Sequence, residues 1–97
     1  MSSYCVLGTY TDQGIRTIKE SPKRLDDSRA LAKSMGAEVK EFCLAMGAYD
    51  FVVTIEAPDD ETIARFALAL GSRGNARTCT LRLFPEADYR KIIGILP

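Results

Sequence analysis

The chain is predicted to fold as an α+β ferredoxin-like βαββαβ sandwich, with a four-stranded antiparallel sheet, two helices on one face and a short C-terminal helix. Three observations carry that expectation. Four runs rich in β-branched and aromatic residues are bounded by turn residues. Two intervening segments repeat apolar residues at helical spacing. Gly47-Ala48-Tyr49-Asp50 joins two of the strand-like runs directly, with a glycine free to adopt the positive φ that tight reversals need.

Tyr4 to Thr11 reads as the first strand and stops at the turn signal Asp12-Gln13-Gly14, after which Ile15 to Lys19 adds a short helical turn. Ser21-Pro22 then opens the first long helix as N-cap and first helical residue. Ser28, Leu31, Ala32 and Met35 share one helical face, and Gly36 is the stop. Val39 to Ala45 is the second strand, and the run beginning at Phe51 and ending near Ala57-Pro58 is the third. Asp59 caps the second helix, whose buried stripe is Ile63, Phe66, Ala67 and Leu70, and Gly71 to Asn75 ends it. Ala76 to Phe84 is the fourth strand, and Tyr89, Ile92 and Ile93 fall on a terminal helix.

With both helices on one side, the other side of the sheet starts out bare. Strand alternation directs Phe51, Val53 and Ile55 towards the helices and Asp50, Val52, Thr54 and Glu56 towards the bare side. Either phase is open for the first strand, with Val6, Gly8 and Tyr10 the best candidates for the bare side. Lys40, Phe42, Leu44 and Met46 are expected there from the second strand, and Thr78, Thr80 and Arg82 from the fourth. A face so mixed is more apolar than a solvated one, which points to a second copy covering it as a homodimer. Glu56 and Arg82 are then placed to form an ion pair.

Composition narrows the chemistry. The 97 residues are expected to form a single domain spanning 1–97 with one core. Lys plus Arg equals Asp plus Glu at 13 each, so no net field draws nucleic acid or an anionic membrane. The start of the chain lacks a secretory pattern, and no apolar run reaches spanning length, so a cytoplasmic location is expected. The 3 cysteines Cys5, Cys43 and Cys79 stand singly, which fits buried free thiols rather than a disulfide framework or zinc site. Histidine is absent, removing Ser-His-Asp chemistry and imidazole ligands; no cofactor and no metal are expected. RNA binding on the open sheet is disfavoured by zero net charge and by the lack of a basic-aromatic strand signature.

The candidate catalytic residues are Tyr49 and Asp50, a phenol and a carboxylate at the mouth of a strand. A partly buried carboxylate can act as a base and a phenol can donate to an oxyanion; the same pair can instead clamp the hairpin. Tyr10, Thr54, Glu56, Thr80, Arg82 and Arg16 are the candidate ligand-binding residues, Arg16 through an anion site in the turn after the first strand. Gly71 to Asn75 lacks nucleotide-binding spacing, and Asp59-Asp60-Glu61 reads as helix capping.

Several segments, taken in order, resemble the GYD-domain family of small bacterial and archaeal proteins. They are Tyr10 to Arg16, Ser21-Pro22-Lys23-Arg24, Met46-Gly47-Ala48-Tyr49-Asp50, Ala57-Pro58-Asp59-Asp60 and Leu68 to Thr78, together covering the chain nearly end to end. The resemblance implies a ferredoxin-like fold of the dimeric α/β-barrel type and implies no particular reaction. Ala48 is smaller and less polar than the charged residue expected in that slot. The functional expectation is a homodimeric small-molecule-binding or regulatory module with a small organic ligand between facing sheets. The competing reading is a small cofactor-independent oxygenase or isomerase using Asp50, Tyr49 and Tyr10.

Overall fold

A computed structural model describes residues 1–97. Four strands, β1 (Ser2–Tyr10), β2 (Glu38–Leu44), β3 (Phe51–Ala57) and β4 (Ala76–Leu83), form one antiparallel sheet in the order β2-β3-β1-β4. The helices α2 (Ser21–Ser34) and α3 (Asp60–Ser72) make the two crossovers, so the βαββαβ architecture is as expected. A five-residue α1 (Asp12–Arg16) and a 3-10 turn at Ile18–Glu20 precede α2, and α4 (Glu86–Gly94) ends the chain.

Local chemistry accounts for the element ends. Asp59 caps α3 by accepting the Thr62 N–H at 2.8 Å and the Thr62 hydroxyl at 2.7 Å. Those bonds hold its carboxyl below the usual carboxylate range. Gly47 carries the hairpin through φ +119°, and Gly36 leaves α2 at φ +79°. Ser21 is not the N-cap of α2: the 3-10 turn runs straight into the helix, Glu20 precedes it, and the Ser21 hydroxyl lies 3.3 Å from that of Tyr10.

The core sits between the helices and one face of the sheet. Tyr4, Val6, Phe51, Val53 and Ile55 meet Ala32, Ile63 and Phe66 there. The tip of the Phe51 ring covers Gly8, where an added Cβ would fall 1.9 Å from its Cζ. A glycine inside a strand marks such a close approach. Three strands therefore differ in phase from the sequence reading. Val6, Gly8 and Tyr10 in β1 pair with or neighbour the inward residues of β3 and face the helices. Thr78, Thr80 and Arg82 pair with Gly8, Val6 and Tyr4 and lie on the same side. In β2 a bulge at Lys40 lets Val39 pair with Ile55 and Phe42 with Val53, which turns Phe42 and Leu44 to the helix side. Met46 lies beyond β2 and is 98% exposed.

Candidate functional site

Alternation in β3 sends Val52, Thr54 and Glu56 to the open side, and the pairing register carries that side across the sheet. One row runs Cys43, Val52, Leu7, Cys79, and the next runs Glu41, Thr54, Cys5, Leu81. A third joins Glu38, Glu56, Ser3 and Leu83. An apolar band of Leu7, Val52, Leu81 and Leu83 thus crosses the sheet with polar residues on its β2 side. All three thiols lie on this face. Cys5 is half-buried while Cys43 and Cys79 are exposed, so the expectation of buried thiols is corrected for two of them.

Beyond β4, Phe84 and all of α4 are exposed, including Tyr89, Ile92 and Ile93. Ile95 and Leu96 follow, at 84% and 61% exposure. Phe84 lies beneath the Arg82 guanidinium, 4.5 Å from its ring centre, so the exposed residues of α4 follow the open-face band in sequence and are a separate apolar surface.

The hairpin carboxylate and the Asp50 main chain both bond to neighbouring backbone. Asp50 Oδ2 accepts the Tyr10 N–H at 2.9 Å, the Asp50 N–H donates to the Gly8 carbonyl at 2.8 Å, and its carbonyl accepts the Ala45 N–H at 2.7 Å. Asp50 thereby ties the hairpin to the end of β1, a clamp geometry. Tyr49 stands beside it on the connection, 37% exposed.

The other candidates separate. Thr54 and Glu56 occupy the open face, whereas Tyr10, Thr80 and Arg82 stand on the helix side and Arg16 is exposed on α1. Glu56 pairs with Lys40 at 3.9 Å, not with Arg82. Arg82 instead lies 3.8 Å from Asp60 and stacks over Tyr4 and Phe84. Tyr4 donates its hydroxyl to Asp60 at 2.6 Å; burial first, then this bond, pushes its phenol above the ordinary value of 10.0.

The turn after β1 closes a second clasp. Thr11 caps α1 by accepting the Gly14 N–H at 3.1 Å, and its own N–H donates to the Asn75 carbonyl at 3.1 Å. Gln13 donates to the Arg73 carbonyl at 3.1 Å and to Asn75 at 2.9 Å. A Cβ at Gly14 would fall 2.0 Å from the Asn75 carbonyl oxygen, so glycine is required for this contact. These side chains bind the α3–β4 turn.

Sequence reasoning missed Cys5, Leu7, Cys79 and Leu81 as open-face residues. The usable signal was Gly8: a strand glycine under a bulky neighbour fixes the phase of β1, and pairing then fixes β4.

The fold and its open face define a ferredoxin-like α+β domain. The GYD domain family matches residues 4–93, and the chain belongs to that family. A Thermus thermophilus protein described as "Glutamine synthetase and cystathionine beta-lyase binding protein" is 39% identical over 89 residues, covering 91% of this chain and 94% of the relative. Among solved structures, FFRP-DM1 superposes with a TM-score of 0.62 at 17% identity, covering 87% of this chain and 100% of that one. MtbAldR superposes with a TM-score of 0.67 at 15% identity, covering 86% of this chain and 51% of its own. LrpC of B. subtilis gives 0.58 at 18% identity, covering 86% and 50%. The chain spans about half the length of these last two. No helix is long and apolar enough to cross a membrane.

Proposed function

We propose that this protein is a homodimeric regulatory module of the cytoplasm that pairs through its open sheet face and acts by binding a metabolic enzyme. The observation that carries the reading is the apolar band of Leu7, Val52, Leu81 and Leu83, left uncovered within one chain. Its apolar area gains from burial only by association. Helix α4, exposed throughout, would also pack in the dimer: a nine-residue helix is marginal in water without packing, and the second copy would supply it. Free thiols at Cys5, Cys43 and Cys79 fit a reducing compartment.

The enzyme-binding half of the proposal follows the Thermus relative, whose description names glutamine synthetase and cystathionine β-lyase as what it binds. The small organic ligand expected between the sheets would be framed by Thr54 and Glu56, with Glu41 and Arg77 joining them from the same face.

Light-scattering mass measurement tests the pairing. Wild type should run as a dimer, and Val52→Lys should halve the mass without loss of secondary structure. Removing residues 86–97 should weaken the dimer. A monomeric wild type, or a Val52→Lys variant with unchanged mass, would sink the interface. Titration against purified glutamine synthetase and cystathionine β-lyase from the same organism tests the second half; no binding to either removes it.

A further inference from the structure

The covered side of the sheet holds a feature that the proposed interface does not use. A cavity of about 110 Å³ lies between α2, α3 and the sheet. Its origin is legible in α2. The last turn of that helix and its C-cap put Leu31, Ala32 and Met35 against the core, whereas the earlier turns present Ser21, Arg24, Leu25 and Ser28 to the space. Ser28 turns its hydroxyl back to the Arg24 carbonyl at 2.8 Å, leaving unfilled the volume that a larger apolar side chain would take.

The lining divides by chemistry. Val6, Ile55 and Phe66, each 2% exposed, make an apolar base. Phe51 stands between Tyr10 and Phe42, with ring centroids 5.4 and 5.6 Å away, as an aromatic wall. The only ionised side chains of the lining are Arg24 and Arg73, and no carboxylate joins them. Arg24 is fixed in place by donating to Thr17 and to the Gly14 carbonyl, at 2.9 and 3.1 Å, while Arg73 is exposed. Dry enclosed cavities of roughly 150 Å³ accept benzene; this space is somewhat smaller but open to solvent at its Arg73 rim, so it suits a single ring or a short branched chain whose head stays outside. Neither guanidinium forms an ion pair within the chain, which favours a carboxylate head.

We infer that this cavity binds a small apolar monocarboxylate, its aromatic or branched aliphatic body against Phe51 and Phe66 and its carboxylate held by Arg24 and Arg73. The site lies across the sheet from the pairing face and stands whether or not the chain dimerises.

Benzoate is the probe, titrated into the full chain while backbone amide resonances are followed by NMR. Saturable shifts should cluster at Val6, Tyr10, Phe51, Leu70 and Ala76. Benzamide, with the same shape and no charge, should bind about tenfold more weakly. Arg73→Ala should cost benzoate about tenfold and leave benzamide unchanged. Ser28→Leu should fill the space and abolish binding, with its thermal unfolding midpoint measured alongside; if that variant does not fold, the exposed Arg73→Ala still decides. Absence of saturable shifts, equal affinity for benzamide, or shifts centred on the open face would overturn the assignment.

Discussion

The two faces of the sheet are built from the same strands and carry different kinds of apolar residue. The helix-covered face holds Tyr4, Val6, Phe51, Val53 and Ile55, all buried against α2 and α3. The open face holds no aromatic ring: Cys5, Leu7, Val52, Cys79 and Leu81 are interleaved with Thr54, Glu41 and Glu56. The first set is satisfied within one chain; the second reaches comparable burial only against another molecule. Substitutions on the two faces should therefore fail differently, one by unfolding and the other by dissociation.

The largest effect belongs to the covered face. Phe66, 2% exposed on the inward stripe of α3, is predicted to cost about 3–5 kcal/mol when replaced by Ala. Leu81→Asn on the open face, where Leu81 is 45% exposed, should change the stability of the isolated chain by no more than about 0.5 kcal/mol. Urea unfolding at a concentration low enough to favour monomers checks both. Equal losses would mean that the open face is packed within the chain after all.

Much of this arrangement was legible in residues. Asp59 as a cap, Gly36 as the stop of α2, Gly71 to Asn75 as the end of α3, and Ile63 and Phe66 as an inward stripe follow from local chemistry, and each stands where expected. Strand β3 was readable because Phe51, Val53 and Ile55 alternate cleanly with more polar neighbours. Strands β1 and β4 were not, because Tyr4-Cys5-Val6-Leu7 and Thr80-Leu81-Arg82-Leu83 put apolar or amphipathic groups on both sides. In β2 the bulge at Lys40 changes phase mid-strand, and nothing in the local composition announces it. The candidate site suffered most, since it combined Thr54 and Glu56 from a correctly phased strand with Thr80, Arg82 and Tyr10 from the opposite face.

A smaller effect sharpens the comparison at the rim of the covered face, where buried Tyr4 meets exposed Asp60. Tyr4→Phe removes one hydroxyl bond to a solvated carboxylate and should cost about 0.5–1.5 kcal/mol at neutral pH. The pH dependence has a definite sign. Because the folded phenol titrates above 10.0, its neutral form stabilises the fold; that stability is complete below 10.0 and is lost as pH rises through the raised value. Unfolding followed between about pH 8 and pH 11 should show a steeper alkaline decline for wild type than for Tyr4→Phe. Parallel curves would mean that Tyr4 does not titrate differently in the fold.

The smallest effect tests whether the hairpin carboxylate is a clamp or a reacting group. Asp50 accepts the Tyr10 N–H through one carboxylate oxygen, and an amide oxygen can accept the same bond. Asp50→Asn should therefore lose about 0.5 kcal/mol or less, while Asp50→Ala, which leaves that N–H without its partner, should lose about 1 kcal/mol. Hydrogen exchange at the Tyr10 amide gives an independent readout: protection should survive in the Asn variant and fall in the Ala variant. Were Asn to behave like Ala, the charge itself would matter to the hairpin. Were both variants to keep full stability yet lose enzyme or ligand binding, Asp50 would belong to a functional surface rather than to the joint between β1 and β3.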